Sequence, residues 1–174
     1  MTVTRRTPLP TGPATGRLVV AEHVLSPTRS ALQASSGRHR SHEGLAFWLG
    51  RNLGTDTLVL AVAVPPTEHR VDGVFVDERA VLATTRAART VGLGLVAQVH
   101  SHPGDDTHHS DGDDKLILMP YEGMFSLVVG DYGHGGRLQA ESSGLHQFQE
   151  GRWVHVTNDA LIVVPALVTI GATR

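Results

Sequence analysis

The chain has 174 residues and a mass of 18.6 kDa, enough for one domain whose core needs no covalent staples. Hydrophobic residues make up 40% and charged residues 18%, which excludes a disordered charged chain, a coiled coil and a collagen-like repeat. Lys plus Arg is 15 against 17 for Asp plus Glu, a net charge of −2 without the basic footprint of a nucleic-acid binder, and cysteine is absent, so disulfides, thiolate metal sites and a thiol nucleophile are excluded.

Residues 1–16 carry charge, Pro, Thr and Gly without an apolar run. They read as a disordered leader rather than a secretory signal, with a single domain over 17–174. Residues 17–21 predict a first strand. Ser26-Pro27 then opens a helix to about Ser35, with Ser26 as N-cap and Pro27 as first helical residue. Residues 43–49 predict a buried strand bounded by Gly50, and 58–64 another, stopped by Pro65-Pro66. Residues 77–90 space Ala, Leu and Arg helically, and Gly92 ends that helix. Residues 95–99 form a strand running into His100, and 125–130 form another. Residues 137–140 and 153–156 predict a late antiparallel hairpin. The apolar run over 160–172 is broken by Pro165 and is too short for the ~20 residues a bilayer demands. The expectation is therefore a cytoplasmic protein with no membrane or nucleic-acid partner. Its fold is α+β, a mixed sheet with two main helices.

Histidine, at 11, is the compositional outlier. Without cysteine, a transition-metal site here must use imidazole and carboxylate. His100 and His102 stand two apart at a strand end, where a period of two points both imidazoles to one face. Pro103 ends the strand, a polar loop follows, and Ser110 is placed to start a helix with Asp113 in its first turn. Two imidazoles and a carboxylate make a three-ligand zinc centre with one open position. Ser110-x-x-Asp113 is equally a capping arrangement with no chemistry, and a lone histidine at a strand end is more often structural. The whole set, His-x-His-Pro-x6-Ser-x-x-Asp, arises by chance on the order of once in 10⁴ such sequences. Ser101 points to the opposite face and takes no catalytic role. His108 and His109, among Asp105, Asp106 and Thr107, read as a solvated loop rather than as ligands. Asp111 and Asp114 read as charges favouring the helix N-terminus.

This run resembles the signature of the JAMM (MPN-plus, or JAB-domain) zinc isopeptidases. Glu43-Gly44-Leu45-Ala46-Phe47-Trp48-Leu49-Gly50 is similar to that family's upstream Glu-x-x-Gly-Leu-x-x-Gly segment, with Ala46 in place of the middle glycine. Pro66-Thr67-Glu68-His69-Arg70-Val71 is similar to a third patch, Thr-Glu-x-Arg-Val. The resemblance spans roughly residues 40–135. It implies a JAB/MPN-like, cytidine-deaminase-like architecture and a Zn2+ cofactor held by His100, His102 and Asp113. It also implies Glu43 as the general base that takes a proton from water and passes it to the leaving amine. Ser110 then donates to the developing oxyanion.

The implied reaction is hydrolysis after the C-terminal Gly of a ubiquitin-like or sulfur-carrier protein, whose extended tail lies beside a sheet edge. The stretch over 115–124 is short, as in stand-alone prokaryotic members of the family. Two other readings stay open: a non-catalytic scaffold of the same fold, and a metallohydrolase of small amide or sulfur-carrier adducts. A homodimer is compatible with all three.

Overall fold

A computed structural model describes residues 7–34, 42–70, 73–115, 120–134, 138 and 142–166. An eight-stranded mixed sheet runs through the molecule. Its strands are β1 (Leu18–Ala21), β2 (Leu45–Leu53), β3 (Asp56–Ala63), β6 (Gly94–Ser101), β7 (Phe125–Val129), β8 (Ser143–Gln149), β9 (Arg152–Val156) and β10 (Leu161–Val164). A short hairpin, β4 (Glu68–Arg70) and β5 (Gly73–Phe75), stands apart. The helices are α1 (Leu25–Ala34) and α2 (Glu78–Thr90). The sheet order is β10-β1-β3-β2-β6-β7-β8-β9. β6 pairs antiparallel with β2 and parallel with β7, which puts its C-terminal end in the middle of the sheet.

The two faces bury different cores. One packs Leu18, Val24, Leu32, Trp48, Val99, Leu127 and Leu145 together and is covered by α1. Trp48 is fully buried there, and its indole N–H donates to Thr28 Oγ1 on α1 at 2.8 Å. That bond removes the cost of a dry, unpaired donor. The other face packs Leu45, Phe47, Val74, Met124 and Trp153, with Val76 and Val81 arriving from the start of α2. Each large apolar side chain so buried contributes roughly 1.5–3 kcal/mol. α2 begins at its expected cap: the Asp77 carboxylate accepts the Ala80 N–H at 2.7 Å.

The α+β class, the mixed sheet and both helices stand as expected, two local expectations change, and two segments take places that the sequence left open. α1 begins at Leu25, directly after a 3-10 turn over Glu22–Val24, so Ser26 is not its N-cap. Pro27 still lies in the first turn, where its missing N–H costs no helical bond. The partner of residues 153–156 is β8, not 137–140; residues 137, 139 and 140 lie outside the described residues. The apolar run beginning at residue 160 supplies an edge strand, β10, parallel to β1. Finally, residues 10–15 lie against β8 and β9. Gly12 N–H donates to His155 O at 3.1 Å, His155 N–H donates to Pro10 O at 2.9 Å, and Thr11 bridges His155 in parallel. Gln147 clasps Thr15 through both its oxygen and its nitrogen, at 2.7 and 2.9 Å. The segment closes the β9 edge, which would otherwise present unpaired backbone to solvent. No helix among the described residues is long and apolar enough to cross a membrane.

Candidate metal centre

His100 occupies the penultimate position of β6, and His102 follows just beyond the strand. Backbone pairing continues past the strand end. His102 N–H donates to Val129 O and Tyr132 N–H donates to His102 O, both at 2.9 Å. The backbone pairing thus extends through the second histidine. Both rings are fully buried and Asp113 is 5% exposed.

Two imidazole nitrogens and both oxygens of one carboxylate converge. His100 Nε2 lies 3.2 Å from His102 Nε2 and 3.3 Å from Asp113 Oδ1, and His102 Nε2 lies 3.1 Å from Asp113 Oδ2. One ligand atom from each of the three residues lies within 4.8 Å of the others, close enough for a single small divalent cation to be shared among them. Among the described residues, these are the three whose ligand atoms meet. The other ring nitrogens, His100 Nδ1 and His102 Nδ1, are buried without a hydrogen-bond partner among the described residues. The cluster is therefore oriented through its Nε2 atoms and the backbone.

The electrostatics are those of a closely coupled carboxylate–imidazole cluster. Burial pushes the Asp113 carboxyl up, but the charges and hydrogen bonds of His100 and His102 outweigh burial and hold it well below the usual carboxylate range. Burial pulls the His102 imidazole down, whereas the Asp113 hydrogen bond and charge, with smaller contributions from Glu43 and Asp106, raise it overall. The contribution of Glu43 places its carboxylate within electrostatic reach of the cluster. Glu43 lies two residues before β2 and borders the β4–β5 hairpin, where a Cβ on Gly73 would come 3.9 Å from Glu43 Oε2.

Ser110 and Asp113 form the capping arrangement the spacing suggested, and the same geometry turns the Asp113 carboxylate toward the imidazoles. Asp113 begins a 3-10 turn over Asp113–Lys115. The Ser110 Oγ accepts the N–H groups of Gly112 and Asp113 at 3.2 and 3.3 Å, and the Ser110 N–H donates back to Asp113 Oδ2. This is a capping box, and it also aims the carboxylate at the imidazoles.

His109 departs from expectation. It is not solvated but fully buried, with its ring centroid 5.6 Å from His100, 4.4 Å from His146 and 4.9 Å from Trp153. The loop that carries it lies down on the sheet because Gly144 has no side chain; a Cβ there would stand 2.2 Å from Thr107 O. Beneath the loop, Gln98, Ser126, His146 and His155 form a cross-strand row over β6, β7, β8 and β9. Gln98 Nε2 donates to Ser126 Oγ at 3.0 Å, and His109 Nε2 lies 2.8 Å from the same oxygen. Asp114 Oδ1 lies 3.5 Å from His109 Nδ1, so Asp114 pairs with a ring rather than with a helix terminus alone. Burial pushes His109 down to about 4 and His146 well below its ordinary value. The Asp114–His109–Ser126 connectivity resembles a nucleophilic relay, but Ser126 is fully buried in mid-sheet and unreachable by an acyl group. The row lies on the same sheet face as His100, next to the candidate ligands. Its one sequence signal is the extension of the two-residue period from His102 through His100 back to Gln98. His108, by contrast, is exposed as expected and lies against Asp106 at 3.2 Å.

The mixed sheet with its two helices, and a buried two-histidine, one-aspartate cluster at the C-terminal end of a central strand, define a protein of JAB-like architecture with a candidate metal centre. The chain belongs to the family described as prokaryotic homologs of the JAB domain, which matches residues 25–140 and so takes in Glu43, Ser110 and all three candidate ligands. It is 34% identical over 99 residues to the probable metalloprotease y4jG of Sinorhizobium fredii, over 53% of this chain and 59% of that protein. The chain thus spans less than two thirds of the relative's length. Its fold is also similar to the solution structure of protein DSY2949 from Desulfitobacterium hafniense, with a TM-score of 0.62, 15% identity, and coverage of 86% of this chain and 94% of that one.

Proposed function

We propose that the protein is a zinc-dependent peptidase that hydrolyses the bond after the C-terminal glycine of a ubiquitin-like or sulfur-carrier protein, either to release a conjugate or to process a precursor. The observation that carries this reading is the convergence of two buried imidazoles, 3.2 Å apart at Nε2, on the Asp113 carboxylate, one oxygen of which lies 3.3 Å from His100 and the other 3.1 Å from His102. The imidazole–carboxylate donor set suits zinc, and three protein donors leave the open position that hydrolysis needs. Zinc bound there would supply Lewis acidity and activate water near neutral pH.

The chain's own residues then divide the work. His100, His102 and Asp113 hold the ion. Glu43, at the rim of the centre, takes the proton of the attacking water and delivers it to the departing amine. Ser110 donates its hydroxyl to the carbonyl oxygen as negative charge develops. The buried row next to the ligands keeps bulk water out on that side, which strengthens each of these interactions.

The test is Glu43→Gln assayed on a fusion whose ubiquitin-like part ends in Gly. The variant should keep one zinc per chain and lose about 10²- to 10⁴-fold in kcat. A variant that keeps zinc and cleaves at the wild-type rate removes Glu43 from its assigned role.

A further inference from the structure

Glu43 and the metal ligands sit on separate pieces of chain, and the fold has to hold them in register. Leu45 pairs with His100 across β2 and β6, and the β2 ladder begins there, two residues after Glu43. One further pair of contacts lies beyond the ladder. Ser101 N–H donates to Gly44 O at 3.0 Å, and Gly44 N–H donates to Ser101 Oγ at 2.9 Å. Ser101 is fully buried and Gly44 is buried with it. On its other side Gly44 is pressed by α1: a Cβ there would stand 2.5 Å from Leu32 O and 2.6 Å from Leu32 Cα. Gly44 is therefore clamped between a helix backbone and a hydroxyl.

We propose that Ser101 is a positioning residue: its buried hydroxyl fixes the backbone at Gly44, and through it the approach of Glu43 to the ligands His100 and His102 on either side of Ser101. The inference rests on the assignment of Glu43 as base. Side-chain alternation sends Ser101 to the sheet face opposite the imidazoles. It therefore acts on the base without touching the ion or the substrate. An apolar residue of the same size would fill the space, but it would leave the Gly44 N–H dry and unpaired. A hydroxyl at this position does something that packing alone does not require.

The experiment compares wild type, Ser101→Ala, Ser101→Thr, Glu43→Gln and the double variant Glu43→Gln/Ser101→Ala. It reads zinc stoichiometry and affinity by chelator competition, amide exchange at Gly44 in the metal-free protein, and kcat and KM on the Gly-tailed fusion. In Ser101→Ala, zinc affinity and KM stay within about twofold, Gly44 exchange rises at least about tenfold, and kcat falls about 10- to 100-fold. Ser101→Thr, which keeps the acceptor, recovers most of kcat. On the Glu43→Gln background, Ser101→Ala changes kcat by less than about twofold, because the residue it positions is already disabled. An equal kcat loss on both backgrounds, or a parallel loss of zinc affinity, overturns the proposal and makes Ser101 a general support of the strand. Faster Gly44 exchange with unchanged kcat overturns it too. If the wild type turns over no substrate, the peptidase reading fails separately, and Gly44 exchange decides the latch: exchange unchanged in Ser101→Ala refutes it. Should Ser101→Ala not fold, Ser101→Cys replaces it, since a thiol of similar size is a weak acceptor.

Discussion

Gly44→Ala tests how tightly the metal centre is built into the fold. The added methyl would stand 2.5 Å from Leu32 O and 2.6 Å from Leu32 Cα. These are backbone atoms of α1, so no rotamer change relieves the contact. Restoring an ordinary separation of roughly 3.5 Å requires a shift of about 1 Å between α1 and the Glu43-Gly44 segment. Overpacking of this kind costs about 1–3 kcal/mol. At ~2–4 °C per kcal/mol for a domain of this size, Tm should fall by roughly 2–12 °C. β6 is held by β2 on one side and β7 on the other, so the variant should still hold one zinc per chain. Its kcat should fall about 100-fold, as expected for a 1 Å displacement of a catalytic group. Differential scanning fluorimetry, elemental analysis and turnover of a Gly-tailed fusion read the three quantities. A variant with unchanged Tm and unchanged kcat would refute the close approach and the argument built on it.

Two further predictions follow from the buried histidines and the N-terminal segment. Burial pushes His109 down to about 4, so its folded pKa lies below the unfolded value. Its neutral form contributes stability that is fully present above ~6.5 and is lost as pH falls from there towards 4. Denaturant unfolding of the metal-free protein should weaken across that window, and His109→Gln should flatten the slope by about one proton; an unchanged slope contradicts the assignment. Deleting residues 1–16 removes the bonds to His155 and Gln147 and opens the β9 edge. Tm should drop by at least ~2 °C and concentration-dependent association should appear on size-exclusion chromatography. A truncated protein as stable and monodisperse as the full chain would show that the segment is ornamental.

The centre could be read from the chain because its parts obey local rules. His100 and His102 alternate along an apolar strand, Pro103 stops it, and Ser110-x-x-Asp113 carries the cap that aims the carboxylate. The two readings of Ser110-x-x-Asp113 are not exclusive, since the cap itself turns the carboxylate toward the imidazoles. The missed features are those where tertiary contacts override composition. β8 carries His146 and Gln147 on opposite faces, both buried, so it has no apolar alternation to detect. The 7–16 segment is rich in Pro and Thr, yet its backbone pairs with a strand edge, which no hydropathy pattern encodes. His109 stands among acidic residues and still turns inward, because the room for its loop is set by Gly144, thirty-five positions away. Ser26-Pro27 has the form of a helix start, but a preceding 3-10 turn begins the helical path earlier.

The central claim is that His100, His102 and Asp113 hold an ion, and metal content tests it most directly. Untagged wild type and His102→Ala would be measured side by side by elemental mass spectrometry after purification and zinc dialysis. The account predicts about one zinc per wild-type chain and a loss of it in the variant, because removing one of three donors leaves too few to hold the ion. A wild type that takes up no metal, or a variant that binds it as well as wild type, would contradict the account.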